Sequence, residues 1–301
     1  MNPFEITFAS IIFMIFLGYA LKKIDLLKSK DVEPLNKLVV NVTMPCMIFT
    51  SLYVADVALF PKLAIMPVIG ILSGAITGFI SYIVLTYLKV PKIKKWSLLI
   101  TVTLGNTALL GFPIVLGVFG SQALIRAIFF DIASLSTFLG LSVILMANFG
   151  GELKAVLKKV LLFPVLWAVI FGIVLNVFNI PIGPVLDKSL NYIGGATIHL
   201  IMIVLGLSLD FRAMLNNFKI ASAVSLVKLF LFPSIATIII FIVGLTGTEF
   251  TIGIVEAAMP SGMLTLVLAI NYGLDYKLTT DCLFLSTVFS LITLPLIIGF
   301  L

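Results

Sequence analysis

Charge is scarce in this 301-residue chain. Asp, Glu, Lys and Arg make up 11% of it, against about 25% in soluble domains. Hydrophobic residues reach 61%, and the mean hydropathy is +1.26. A soluble globule of this composition lacks the polar side chains to cover itself, and the same apolar excess excludes a disordered chain. Histidine occurs once, at His199, so no histidine-built metal site is expected. The 2 cysteines, Cys46 and Cys282, lie inside apolar runs and give neither a disulfide framework nor a zinc ligand set. The chain has no phosphate-binding Gly-x4-Gly-Lys-Ser/Thr string, so it does not itself hydrolyse ATP. It also lacks His-Glu-x-x-His and Gly-x-Ser-x-Gly, so no enzyme or cofactor is expected. The net charge of +6 is spread over short loops, which excludes nucleic acid as a partner and leaves the lipid bilayer as the surrounding solvent.

In place of charge there are long apolar runs. A helix needs about 20 mostly apolar residues to cross a bilayer. Ten segments qualify: 5–22, 34–55, 63–88, 96–119, 122–148, 160–178, 185–208, 220–245, 250–271 and 279–300, numbered here as spans 1 to 10. Period-2 alternation is absent, which excludes a barrel. The first span follows Glu5 rather than a basic stretch and ends in no small-residue cleavage site, so it reads as a retained span. Of the 19 lysines and arginines, 15 flank the odd-numbered loops. Lys62, Arg126 and Lys188 flank the even ones, and Lys228 lies inside span 8. This bias puts the odd loops in the cytoplasm and both termini on the other side. No organellar address is present, so the cell membrane is expected.

The expected fold class is an all-α polytopic membrane protein of ten transmembrane helices. The chain divides into residues 1–149, a cytoplasmic linker at 150–159 and residues 160–301, with Gly150 and Gly151 at the seam. Five spans per half force the halves into opposite orientations, the inverted-repeat plan of many secondary transporters. Spans 2 and 7 add a weak internal echo. Pro34 is followed by Asn41, and Pro184 by Asn191, at the same spacing.

Span 4 contains Gly105-Asn106-Thr107-Ala108-Leu109-Leu110-Gly111-Phe112-Pro113, and span 9 contains Glu256-Ala257-Ala258-Met259-Pro260-Ser261-Gly262. Proline removes a backbone donor and clashes with the carbonyl four residues back, and glycine lets the chain leave helical geometry. The freed backbone groups cannot face lipid, so they need protein or a water-filled cavity around them. Paired interruptions at matching positions point to a transporter's binding site. A broken helix offers a half-helix N-terminus of about +0.5 charge for an anion and a C-terminus whose carbonyls suit a cation.

The span 4 string NTALLGFP resembles the Asn-Thr-x-x-x-Gly-x-Pro signature of the auxin efflux carrier family, and EAAMPSG in span 9 resembles that family's second crossover. Lys228-Leu229 followed by Pro233, and Pro45 in span 2, resemble it further. The resemblance implies crossed, broken helices 4 and 9, as in bile acid symporters and antiporters. It implies a scaffold of spans 1, 2, 6 and 7, a moving part of spans 3–5 and 8–10, and an elevator-type cycle. It implies efflux of small organic anions such as carboxylates and a homodimer through the scaffold helices. The short loop between spans 5 and 6 marks a prokaryotic-type member, for which auxin itself is not assumed.

On this reading Asn106, Thr107, Gly111, Pro113, Met259, Pro260, Ser261, Gly262 and Asn41 are candidates for substrate binding. Asn41 and Asn191 either face the site or join helices by hydrogen bonds. Glu256, Lys228 and Asp131 are candidates for coupling to a proton or sodium ion, since a buried ionisable side chain is expensive in a bilayer and needs a reason. Lys228 either snorkels to the surface or pairs with Glu256 or Asp131. Asp131 is either interfacial, near Arg126, or part of the coupling site. His199 is read as an imidazole hydrogen-bonded within the bundle, or as a proton-linked group. Gly70, Gly74 and Gly78 are read as a close-packing face of span 3. A sodium/proton antiporter-like exchanger is the alternative function. It wants a second central acid beside Glu256, and none is evident from the sequence.

Overall fold

The structure is a computed structural model that describes residues 3–151, 154, 158, 161–208 and 217–301. Lys159, Arg212 and most of the linker at 150–159 lie outside the described residues. Seven described helices are long and apolar enough to cross a membrane: Ile6–Lys23, Ser29–Tyr53, Val57–Tyr87, Ser121–Phe149, Pro184–Ser208, Phe218–Val243 and Tyr276–Phe300. They are spans 1, 2, 3, 5, 7, 8 and 10. Span 6 is represented by Pro164–Val177. Spans 4 and 9 each come in two pieces, Lys92–Thr103 with Thr107–Phe119 and Thr248–Ala257 with Leu264–Asn271. The protein is therefore an all-helical, multi-pass membrane protein. Its burial pattern agrees: Phe16, Phe79 and Phe241 are exposed, whereas Lys228 and Glu256 are each only 1% exposed. Water would select the reverse arrangement.

Local sequence sets the helix ends. The Asp56 carboxylate accepts from the Ala58 N–H (2.9 Å) before span 3, and Asp275 accepts from the Leu278 N–H (3.0 Å) at the start of span 10. Both supply an acceptor to orphan donors of the first turn. Gly120, at φ +82°, makes the turn between Phe119 and Ser121 in a conformation that L residues avoid.

Three spans carry a π-turn: Val39–Thr43, Thr107–Gly111 and Val227–Leu231. Each is followed, two residues on, by a proline: Pro45, Pro113 and Pro233. The cause is steric. A proline clashes with the carbonyl four residues back and cannot bond it. Widening the preceding turn relieves the clash, and the bonds there run five residues back. Met44 N–H bonds Val39, Gly111 N–H bonds Asn106 and Phe232 N–H bonds Val227. These prolines thus bulge their helices without cutting them.

The chain forms two compact units, each drawing on both halves of the sequence. The first is Met1–Lys62, Phe112–Ile125 and Leu157–Leu209, and the second is Leu63–Gly111, Arg126–Val156 and Asp210–Leu301. The first unit thus holds spans 1, 2, 6 and 7 together with the second half of span 4. In it, span 1 packs on span 7 through reciprocal glycines, Gly18 against the Ile203 carbonyl and Gly206 against that of Ile15. Span 6 packs on span 2 through Gly172, whose absent Cβ would lie 3.0 Å from Leu52 Cβ and 3.1 Å from the Phe49 carbonyl. In the second unit, Gly70 of span 3 meets Ala133 of span 5, where a Cβ would come within 2.5 Å. Gly78 meets Thr103, but Gly74 has only ordinary contacts. The close-packing face is therefore real at two of its three positions. Leu98 and Val102 of span 4, Ala221 and Val224 of span 8, and Leu278, Cys282 and Leu285 of span 10 form one buried cluster. The pairings are reciprocal. Spans 1–7 answer 6–2, and spans 3–5 answer 8–10.

Candidate functional site

The second unit contains the interruptions. Span 4 leaves helical geometry at Leu104, which is extended at φ −96° and ψ 123°. Span 9 leaves it after Ala257–Ala258. The two extended stretches lie antiparallel and pair as a one-residue bridge, Gly105 opposite Ser261. Asn106 N–H donates to the Pro260 carbonyl (2.7 Å), and Gly262 N–H donates to the Leu104 carbonyl (3.0 Å). Ser261 N–H donates to Ser286 Oγ (3.2 Å), while Ser261 Oγ–H donates to the Thr101 carbonyl (2.9 Å). The backbone groups freed by breaking two helices thus satisfy each other, as a bilayer interior demands. Glycine is required at position 262 because the strands nearly touch there. A Cβ on Gly262 would collide with the Gly105 carbonyl, and one on Gly105 would sit 3.3 Å from Lys228 Nζ.

The crossing falls at Gly105 and Pro260, not at Pro113. Pro113 sits on the far side of a π-turn, in the part of span 4 that belongs to the first unit. A π-turn absorbs a proline, whereas an extended break needs a second backbone to bond, and span 9 supplies one at Gly105.

Around the bridge lie the ionisable side chains. Glu256 is 1% exposed, and neither carboxylate oxygen has a hydrogen-bond partner. It rests against Gly111, where a Cβ would lie 2.5 Å from Oε2 and 2.7 Å from Oε1. Gly111 is thus the seat of Glu256. Asp131 accepts a short hydrogen bond from Thr107 Oγ1–H. Thr107 has one hydroxyl proton, so Ser134 Oγ–H donates to Thr107 Oγ1 at 2.8 Å, making a chain Ser134, Thr107, Asp131. Asp131 is also close enough to act electrostatically on Glu256. Of the two readings of Asp131, its bond to Thr107 places it beside the crossing, where it is a second acid near Glu256.

Lys228 does not snorkel. Its π-turn sits in span 8, its side chain is buried, and Nζ lies 3.4 Å from the centroid of the Phe232 ring. Among the described residues no ion pair joins it to Glu256 or Asp131. Lys228, Glu256, Thr107 and Ser134 line one cavity of about 10 Å³, room for about one water molecule. Asn106 is buried and its side-chain amide makes no hydrogen bond among the described residues.

Three other residues lie elsewhere. Asn41 is exposed in the first unit and donates to the Lys37 carbonyl (2.8 Å). Asn191 donates to the Asp187 carbonyl (2.9 Å), so the echo between spans 2 and 7 is one of intrahelical bonds. His199 bonds the Gly195 carbonyl through Nδ1 (3.1 Å). Met259 is fully buried beside Pro260. No cluster of three or more His, Cys, Asp or Glu suited to a metal occurs among the described residues.

The family model described as membrane transport protein matches residues 4–156 and 151–298, nearly the whole chain. The chain belongs to this family, that of the auxin efflux carriers. It is 38% identical over 290 residues to an uncharacterized transporter of Methanothermobacter thermautotrophicus, covering 96% of each chain. It is 32% identical over 305 residues to one of Methanocaldococcus jannaschii, covering 98% of each. Family and relatives speak for a membrane transporter, not an enzyme.

For this auxin efflux carrier family member, sequence reasoning missed Ser134, Ser286 and Phe232. Ser134 was findable, since it stands three residues after Asp131 on the same helical face. Ser286 carried no signal. The pair between Arg126 and Glu249 was missed as well. Nε and Nη2 lie 3.0 and 2.9 Å from the Glu249 carboxylate, with side-chain exposures of 11% and 4%. A pair this buried joins span 5 to span 9, and breaking it by removing one partner costs about 3–5 kcal/mol.

Proposed function

We propose that this transporter moves a small organic anion, such as a carboxylate, by secondary-active, elevator-type alternating access, with the Gly105–Ser261 crossing as its binding locus. The observation that carries the reading is the antiparallel bridge between two broken helices with Lys228 and an unpartnered Glu256 beside it. Four half-helix ends meet within a few residues of that bridge. The N-terminal ends at Thr107 and Leu264 favour negative charge, and the idle amide of Asn106 adds a directional donor. Lys228 is the resident cation for the anionic group.

Charge balance supports coupling. Two carboxyl groups and one ammonium share a water-poor site. An organic anion entering beside two ionised carboxylates adds a third negative charge against one positive. Entry is favoured when a proton or sodium ion enters with it, and Glu256 is the group left to receive that cation. In this reading the odd-numbered loops are cytoplasmic, the cell membrane is the location, export is the direction, and two copies associate through spans 1, 2, 6 and 7.

The second reading, a sodium/proton antiporter-like exchanger, is favoured by Asp131 and Glu256 standing together at the crossing. Currents from proteoliposomes on a solid support separate the two. Mono- and dicarboxylates are applied with and without pH or sodium gradients, alongside labelled-substrate uptake to detect electroneutral exchange. The proposal expects a saturable, anion-specific signal that Asn106→Ala abolishes and that loses its gradient dependence in Glu256→Gln. Sodium or pH jumps that move charge or ions with no organic anion present, while no carboxylate is taken up, overturn it for the exchanger.

A further inference from the structure

A second cavity of the second unit lies away from the Gly105–Ser261 bridge. It is a groove of about 380 Å³ between spans 3, 4 and 5, reaching from Tyr82 and Trp96 to Gly74, Thr103 and Thr137. Gly74, Gly78 and Gly140 leave it open along its length. Two of its hydroxyls are spent on their own helices. Thr103 Oγ1–H donates to the Leu99 carbonyl (2.9 Å) and Ser136 Oγ–H to that of Ile132 (2.9 Å). With Ile71, Ala75, Phe79, Leu99, Leu141 and Ile144 beside them, the walls are mainly hydrocarbon. Gly74 and Tyr82 are eight residues apart on one helix, a depth of about 12 Å, close to half of a leaflet-spanning bilayer core.

The mouth is different. Tyr82 and Trp96 form a tilted pair at 6.2 Å, the residue types that settle at a membrane interface. Lys95 Nζ lies 4.6 Å from the Tyr82 ring and donates to Thr86 Oγ1 (3.2 Å). Lys94 beside it is exposed. An apolar trough that opens at headgroup level beneath a lysine complements a hydrocarbon chain carrying an anionic head. We infer that this groove holds one chain of an anionic membrane lipid, its phosphate on Lys95 and its chain running along Gly78 and Gly140 toward Thr103. The inference stands apart from the reading of the crossing. Lipid at Thr103 and Thr137 lies one side chain from the polar cavity, whose wall shares both residues.

The chain has 2 tryptophans, so Trp167→Phe leaves Trp96 as the sole reporter inside the groove. The full-length protein is reconstituted in vesicles with increasing brominated phosphatidylglycerol or brominated phosphatidylcholine, and Trp96 quenching is recorded. One lysine at the surface predicts half-quenching at about fivefold lower mole fraction of the anionic lipid. Lys95→Gln should bring that ratio close to one. Gly140→Leu, whose Cβ enters open space, should fill the groove without misfolding and cut quenching by both lipids at least twofold. Equal quenching by the two lipids, or a preference that survives Lys95→Gln or Gly140→Leu, overturns the inference. Displacement of the lipid by millimolar aqueous benzoate or succinate overturns it too, and hands the groove to the transported anion.

Discussion

Replacing Gly111 by alanine tests the coupling role of Glu256 without touching it. The new Cβ would lie 2.5 Å from Oε2, and ordinary contact begins at 3.4 Å, so the carboxylate must retreat by about 0.9 Å. It can do so, because it is the free end of a flexible side chain. The fold survives: alanine gains up to about 1 kcal/mol of helix propensity, against a similar cost for a strained Glu256 rotamer. Function does not survive unchanged. At an effective dielectric of about 20, moving a charge from about 3.5 to about 4.4 Å from its bound cation loses about 1 kcal/mol, or about fivefold in affinity. The assay is carboxylate-driven current against proton or sodium concentration. Half-activation should shift about fivefold upward in Gly111→Ala. Glu256→Gln should abolish the dependence, and Gly111→Ala on that background should add nothing. An unchanged half-activation, or a shift that persists without the carboxylate, refutes the placement of the cation on Glu256.

Pro233→Ala removes the clash that keeps the Val227–Leu231 turn wide. Rewinding to α geometry rotates Lys228 by about 100° for the residue lost, away from the crossing. The anion signal should fall as far as in Lys228→Met while thermal stability in detergent holds or rises, and a wild-type signal would mean the bulge persists without its proline. Gly18→Leu should prevent folding, at a cost of about 3 kcal/mol or more, because its Cβ overlaps the Ile203 backbone carbonyl, which cannot give way. Gly195→Ala, with nothing within 4 Å of its Cβ, should leave the size-exclusion profile unchanged.

The sequence discloses most where the bilayer constrains most. Apolar length gives the long spans within a few residues, and Gly105 with Pro260 marks the two that break. It discloses less about depth and rotation. Asp131 looked shallow when counted from the start of span 5, yet Thr107 and Ser134 hold it at the crossing. Lys228 looked able to reach the surface along its long stem, yet its side chain is buried in a widened turn beside Phe232. Arg126 looked like a loop residue, because its partner Glu249 lies 123 positions away in sequence. Each error concerns a long-range partner or a local change of pitch, and neither leaves a periodic trace.

Proline and glycine do different work in these helices, and that difference explains where the site is. Pro45, Pro113 and Pro233 widen a turn, and the backbone closes again around each of them. Gly262 lets two backbones approach until each bonds the other, since a Cβ there would strike the Gly105 carbonyl. Once both devices are in place the main chain at the crossing is paired, and the groups left over belong to side chains. Chief among them is the Glu256 carboxylate, buried without a hydrogen-bond partner in a setting where an uncompensated polar group costs several kcal/mol. A purely structural crossing would shed it, since apolar residues of the same volume would seal the crossing at less cost. Its presence in one cavity with Lys228 is the strongest physical argument that the crossing exists to receive something from outside the protein.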